Sequence, residues 1–207
     1  MVITKIAKQK KSDKRLNLYV DGEFACGLSV DTVGKYGLRT GDKISKKILD
    51  ELTGFDEYIH AKKVSYDLLS YRIRSAKEIR DKLRSKKISP KIIDKTIAHL
   101  NELKFIDDDE FAKQFILSNT SSKPLGKSLI RQKLHMNGIA DDVIERALTQ
   151  YYVDEREKEY AEKIFMKYAR NFKKEDAIKN KMKSFSYLVR KGFNYDIINE
   201  IIRENIK

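Results

Sequence analysis

The densest chemistry in the sequence is cationic. Between Arg72 and Lys91 lie nine lysines and arginines against two acids, Glu78 and Asp81. On a helix beginning near Ala76, the residues Ala76, Ile79 and Leu83 share an apolar face. Lys77, Arg80, Arg84 and Lys87 follow the same three-to-four-residue spacing beside it. A stripe of one sign suits a polyanion, because each cation set against a phosphate releases counterions. Affinity for duplex DNA then falls with salt at a logarithmic slope of about −0.9 per neutralised phosphate. A solvated helix face is the bland alternative, but such faces normally mix both signs. Arg72 and Arg74 lie just ahead of the stripe. Arg131 and Lys133, with His135, and later Lys181, Lys183, Arg190 and Lys191, extend the candidate anion-binding set.

Covalent chemistry has weaker support. Asp107 to Glu110 and Asp141-Asp142 supply clustered carboxylates of the kind a nuclease magnesium needs. Both clusters fall at expected helix starts, where acids cap open amides and complement the helix dipole. His60, His99 and His135 stand far apart without companions at metal-ligand spacing. Gly34-Lys35 and Gly41-Asp42 match neither the P-loop nor the dinucleotide fingerprint and read as turns. Cys26 is the single cysteine, expected as a buried free thiol in a reducing compartment. The expectation is a protein that is not an enzyme, with no catalytic residue, no metal and no cofactor.

The elements that position these residues come from a repeat. Leu83, Ile88, Ile92, Ile93, Ile97 recur as Leu134, Ile139, Val143, Ile144, Leu148 and again as Leu188, Phe193, Ile197, Ile198, Ile202. Self-similarity at a period of this size means stacked helical units that share a continuous core. After Asp56 nine helices in three sets are expected. Ser75 with Glu78 has the form of a capping box, Ser89-Pro90 places a capping hydroxyl before a first-turn proline, and Asp107 with Glu110 imitates the box. Gly138 and Gly192 stop the central helices of the second and third units. Lys87 replaces them in the first, which requires a left-handed lysine or another ending.

The N-terminus follows a different period. Leu16, Leu18 and Val20 alternate with polar residues, Asp21-Gly22 follows, and Phe24, Cys26 and Leu28 alternate again, predicting a two-residue hairpin. Ile3 and Ile6 mark a third strand, and Ser29 to Leu52 reads as two short helices around a glycine-rich turn. The expected domains are therefore 1–56, a hairpin and short-helix region, and three-helix repeats over 57–104, 105–153 and 154–207. The fold class is mainly α, with three tandem three-helix repeats in an elongated curved stack behind a small N-terminal sheet.

The 207 residues carry 44 lysines and arginines against 31 acids, a net charge of +13. The first repeat holds the largest share, +7, against +3, −1 and +4 for the N-terminal, second and third segments. The N-terminal sequence has no signal-peptide core and no run is long enough to span a membrane, so a cytoplasmic protein is expected. The aromatics Tyr66, Tyr71, Phe111 and Phe115 lie at helical spacing and are read as core rather than as base-stacking platforms.

Four ordered blocks carry a resemblance. They are Leu69-Ser70-Tyr71-Arg72-Ile73-Arg74-Ser75 with Glu78-Ile79 and Lys82-Leu83, then Asp107-Asp108 with Phe111-Ala112, then Gly126 with Leu134 and Gly138-Ile139, and finally Leu188 with Arg190-Lys191-Gly192-Phe193. Over about residues 58 to 205 the chain resembles the RecX family, regulators of the RecA recombinase. Lys87 stands at a common glycine of that family, Lys191 where arginine is frequent, and Asn119 where the second repeat often has arginine. The N-terminal hairpin region is less general in the family. The resemblance implies a curved stack in the groove of a RecA filament on single-stranded DNA, bridging subunits. It further implies interference with ATP hydrolysis, filament extension and strand exchange, and so roles in homologous recombination, DNA repair and the SOS response. Single-stranded DNA is the expected nucleic-acid partner, duplex DNA a further one, and a monomer without a membrane partner the expected state. The competing reading is a stand-alone helix-turn-helix-like DNA-binding factor around Ser75 to Leu100, which would prefer one duplex sequence.

Overall fold

The computed structural model describes every residue except 11, 122, 171, 173–175 and 207. Among the described residues it contains ten α-helices and one three-stranded antiparallel sheet, and the helices after the sheet fall into three sets of three behind a short first helix. The chain forms two compact units. One comprises residues 1–72 and 79–105, the other 73–78 and 106–207.

In the first unit, β1 (Ile3–Gln9), β2 (Ser12–Val20) and β3 (Glu23–Ser29) form a meander in the order β1-β2-β3. The β2–β3 turn is the expected Asp21-Gly22 pair, with φ of 49° and 89°, the left-handed pair that a type I′ hairpin needs. Ile3 and Ile6, three residues apart, both reach the sheet's core because the β1–β2 register shifts between Ile3 and Lys5. A second irregularity overturns an expectation. Leu18 pairs with Cys26 and Tyr19 with Phe24, so Ala25 is an extra residue and the alternation breaks. Phe24, expected inside with Cys26 and Leu28, is 59% exposed and meets Tyr19 edge-on at 5.9 Å.

Ser29 caps α1 (Val30–Tyr36) by accepting the Thr32 N–H at 3.1 Å, and Gly37 closes that helix. The second expected short helix is instead the beginning of α2, one 24-residue helix over Lys46–Leu69 that runs straight through Asp56. Asp56 is buried at 5% exposure, and its carboxylate accepts the Ser29 N–H at 2.7 Å and the Thr32 hydroxyl at 2.8 Å, with Arg15 Nη2 at 3.2 Å. Burial alone would raise its pKa. The Ser29 and Thr32 hydrogen bonds, joined by Arg15, outweigh that and hold it below the usual carboxylate range. Strand β2, the β3–α1 junction and α2 are thus bound to one carboxylate. Helices α3 (Ala76–Ser85) and α4 (Pro90–Glu102) follow, and α4 packs on α2.

The second unit is built from α5 (Asp108–Ser121), α6 (Lys127–Met136) and α7 (Asp141–Tyr151), then α8 (Glu157–Ala169), α9 (Ala177–Arg190) and α10 (Tyr195–Asn205). In each triplet the first helix packs on the third, α5 on α7 and α8 on α10. Leu134, Ile139, Ile144, Leu148, Leu188, Phe193, Ile198 and Ile202 all enter one core, as the repeat pattern requires. Gly138 and Gly192 have φ of 78° and 81°, and Lys87 takes the same left-handed conformation at 60°. No helix among the described residues is long and apolar enough to cross a membrane.

Candidate functional site

Helix α3 carries the cationic stripe, and its start is fixed by the expected capping box. Ser75 Oγ accepts the Glu78 N–H at 3.2 Å, and Glu78 Oε2 accepts the Ser75 N–H at 3.4 Å. Ile79 and Leu83 are fully buried, which turns Lys77, Arg84 and Lys87 to solvent and leaves Arg80 half-buried. Arg74 Nη1 reaches Glu78 Oε1 at 3.3 Å. Arg72 sits in the turn between α2 and α3 beside Tyr71, which is 84% exposed. Tyr71 was expected in the core. Helix α2 ends at Leu69, so helical spacing no longer applies to it. Tyr66 is packed as expected, bonded to His99 Nε2 at 3.1 Å and edge-on to Phe105, and Phe111 stacks on Phe115.

The stripe is not a row of isolated cations. Arg80 pairs with Asp94 on α4, and Arg84 with Asp81 at 3.1 Å. The second repeat copies the first of these: Arg131 holds Glu145 through two bonds of 2.6 and 3.0 Å, joining α6 to α7. The hydrogen-bonded Arg131 guanidinium pulls the Glu145 carboxyl below its usual range. Both pairs are 14 residues apart, and each acid directly follows the second residue of the repeat's central pair, Ile93 or Ile144. That register was available in the sequence, whereas a count of net charge hides it. The third repeat has Phe185 and Asn199 at the two positions, and Phe185 stacks instead on Tyr195 at 5.9 Å. Exposed ion pairs are worth about 0–1 kcal/mol. Asp94 is 66% exposed, so exchanging it for a phosphate costs Arg80 little.

Of the other candidate cations, Lys133 is half-buried and Lys181, Lys183 and Arg190 are exposed or half-buried at the helix surface. None of the four makes an ion pair among the described residues. Lys191 Nζ lies 5.5 Å over the Tyr187 ring. Arg131 and Lys133, two residues apart on α6, point to different sides, as do Lys181 and Lys183 on α9. Within the second unit the candidates therefore form no single row.

The first helix of each repeat carries an acid in a shared register that sequence reasoning missed. Glu57, Asp108 and Glu157 each precede by four residues an alanine that is fully buried, Ala61, Ala112 and Ala161. Glu57 accepts the Ser89 N–H at 2.6 Å and its hydroxyl at 2.8 Å. The Ser89 hydroxyl, expected to cap α4, is thus a donor to α2 and makes no cap bond. Glu157 is 8% exposed, and the backbone amides of Lys127 and Asn194, at the starts of α6 and α10, act on its carboxyl to favour the charged form. Asp108 is one methylene shorter, and its Oδ1 is buried without a hydrogen-bond partner. The alanine spacing on the first helices was the signal that would have exposed the set.

Burial pushes Glu157 above the usual carboxylate range despite its amide donors. A carboxyl raised in the folded state penalises the fold above its folded pKa, and the penalty fades as pH falls through that value. Lowering the pH from about 7 to about 5 is therefore expected to raise the urea midpoint of the wild type relative to Glu157→Gln. A pH-independent difference between the two would show that the Glu157 carboxyl has the same pKa folded and unfolded, so that burial does not raise it.

Apart from Asp108, the acids considered as metal ligands have other partners. Asp107 Oδ1 accepts the Glu110 N–H at 2.9 Å, Asp109 and Asp142 both bind Arg146, and Asp141 meets His135 at 3.0 Å. Among the described residues no group of three His, Cys, Asp or Glu is placed to hold a metal ion. Cys26 is half-buried rather than buried, and burial, then Asp56, pushes its thiol up, away from the reactive thiolate.

Comparison with known proteins places these features. Family models match in chain order: the regulatory protein RecX N-terminal domain over residues 1–45, and the first, second and third three-helix domains of RecX over 61–100, 107–148 and 154–202. The N-terminal sheet thus falls within a region that a family model matches. The chain is 33% identical to the regulatory protein RecX of Leuconostoc mesenteroides over 98% of its length and 77% of the relative's. It is 32% identical to that of Bacillus subtilis over 95% and 74%. A crystal structure of regulatory protein RecX covers 99% of both chains at a TM-score of 0.62 and 26% identity. RecX from Lactobacillus salivarius covers 72% of this chain and 96% of its own, at a TM-score of 0.59 and 31% identity. The chain belongs to the RecX family of regulatory proteins.

Proposed function

We propose that this protein is a non-enzymatic regulator that binds the RecA filament on single-stranded DNA, in its helical groove, and inhibits its ATPase, filament extension and strand exchange. It would act in the cytoplasm as a monomer, within recombinational DNA repair. The observation that carries the reading is the face of α3: Lys77, Arg84 and Lys87 exposed, and Arg80 held by an exposed acid that a phosphate can replace. Apart from Asp108, the acids a nuclease would use are engaged in caps and ion pairs, which supports regulation without covalent chemistry.

The test is RecA ATPase on single-stranded DNA as the protein is titrated, beside binding to bare DNA at physiological salt. Inhibition is expected below equimolar RecA, at concentrations that leave bare DNA largely unbound. Arg84→Glu with Lys87→Glu should weaken inhibition at least about tenfold at unchanged melting temperature. It should also flatten the logarithmic salt dependence by about 0.7 for each single-strand phosphate that is no longer neutralised. Full inhibition by this folded variant would remove the stripe from the mechanism. Indifference of the ATPase, together with a preference for one duplex sequence, would make the protein a stand-alone DNA reader.

A further inference from the structure

The face that is cationic on α3 is apolar on α9. In the repeat register that aligns Leu83 with Leu188, Lys77, Arg80 and Arg84 correspond to Met182, Phe185 and Val189. Ile178 precedes Met182 by four residues, so the four side chains lie within about 60° of one another on the helix. The core side of α9 is a different one, carrying Asn180, Ser184 and Leu188. Ile178 is 78% and Met182 68% exposed, and Phe185 stacks on Tyr195, which is itself 61% exposed at the start of α10. An exposed aliphatic and aromatic stripe on one helix face marks a contact surface rather than scatter.

The charge around the stripe selects its occupant. Ala177 to Arg190 contains four basic residues and no acid. Lys179 is held by the capping Asp176 at 3.5 Å. Lys181 flanks the stripe on one side, Lys183 and Arg190 on the other, and the three make no ion pair among the described residues. An apolar row between cationic flanks complements an apolar groove rimmed by carboxylates, in the mode of a helix laid in a groove. Nucleic acid suits it less, since Ile178 and Met182 offer no plane for a base and the Phe185 and Tyr195 rings already stack on each other.

We propose that α9 is a protein-docking helix, whose Ile178, Met182 and Phe185 stripe, with Tyr195 of α10 stacked against it, seats in an acid-rimmed apolar groove of the partner. The inference rests on the filament reading, under which that partner is a RecA subunit and the third repeat grips protein where the first meets phosphate.

Two double variants at exposed positions test it: Ile178→Ser with Met182→Ser, and Lys181→Glu with Lys183→Glu. Affinity is read by anisotropy of the labelled full-length protein against RecA filaments on single-stranded DNA and against the bare oligonucleotide. Both variants are expected to lose at least about tenfold in filament affinity and to melt with the wild type. The serine variant should bind bare DNA as the wild type does. Filament affinity within twofold of wild type in the serine variant overturns the proposal, and so does a parallel loss on bare DNA, which would make the stripe a nucleic-acid contact. Binding to phosphatidylserine vesicles that the serine substitutions abolish, with filament affinity intact, would assign the stripe to a membrane surface instead. Failure of the wild type itself to bind filaments refutes the filament reading before any substitution is made, and this inference with it.

Discussion

Asp56→Ala is expected to destabilise the N-terminal unit by about 2–6 kcal/mol at neutral pH, from about 1–3 kcal/mol for each of two donors left without an acceptor. The Thr32 hydroxyl and the Ser29 N–H would lose their acceptor at a site closed to water, with Thr32 at 0% exposure. Arg15 is 38% exposed and can turn to solvent, so the cost falls on the buried Thr32 and part-buried Ser29 donors rather than on a stranded cation. Amide exchange should accelerate first at β3 and α1, the elements the carboxylate binds to α2. Acid gives a second signature. A carboxyl whose folded pKa is depressed contributes stability that is complete above its unfolded value, near ~4, and is lost as pH falls through the folded value. The gap between wild type and Asp56→Asn should therefore close in acid, opposite in sign to the behaviour expected of Glu157. Equal urea midpoints for wild type and Asp56→Ala at pH 7 would show that the cluster does not hold the unit together.

What could be read from the sequence was whatever local spacing encodes. The Leu83, Leu134 and Leu188 repeat reports one helix face meeting one core, and Asp21-Gly22, Gly138 and Gly192 report backbone that few residues adopt, so each needs only its neighbours to be understood. Features set by a partner distant in sequence stayed hidden. Asp56 looked like a boundary because its partners are Ser29, Thr32 and Arg15. Phe24 looked buried because a bulge in the hairpin leaves no mark in its alternation. Arg80 and Arg131 looked free for anions because Asp94 and Glu145 approach them from another helix.

The candidate site was legible in part for the same reason. Charge counting found α3, where cations are dense, but placed Lys181 and Lys183 only as an extension of the same anion-binding set. The repeat register shows that their helix carries a different surface. One position changes from Arg80 to Arg131 to Phe185, from two interhelix ion pairs to an aromatic stack, while the buried leucine three residues later is kept. A shared core with exchangeable faces lets one repeat unit address different surfaces of a composite partner.

Gly192→Ala is expected to cost the second unit about 3 kcal/mol, from a left-handed alanine and an overpacked approach together. Gly192 has φ of 81°, and a β-carbon there would lie 2.3 Å from the Leu129 nitrogen and 2.4 Å from its Cβ. Gly126, on the facing chain, is closer still: its β-carbon would fall 2.1 Å from the Gly192 carbonyl oxygen. The two backbones are this near because they bond directly, Gly126 N–H to Lys191 O at 2.8 Å and Ser128 N–H to Gly192 O at 3.2 Å. This seam joins the start of α6 to the α9–α10 turn and so fixes where α9 presents its outer face. Gly41→Ala separates the two causes, since Gly41 has φ of 98° but open space where the β-carbon would go; it should cost only about 1–2 kcal/mol. Equal losses in the two variants by urea denaturation would mean that the close approach is not holding the second and third repeats. A larger loss at Gly192, with weakened filament binding at temperatures where the variant is still folded, would show that the seam positions the surface the third repeat offers.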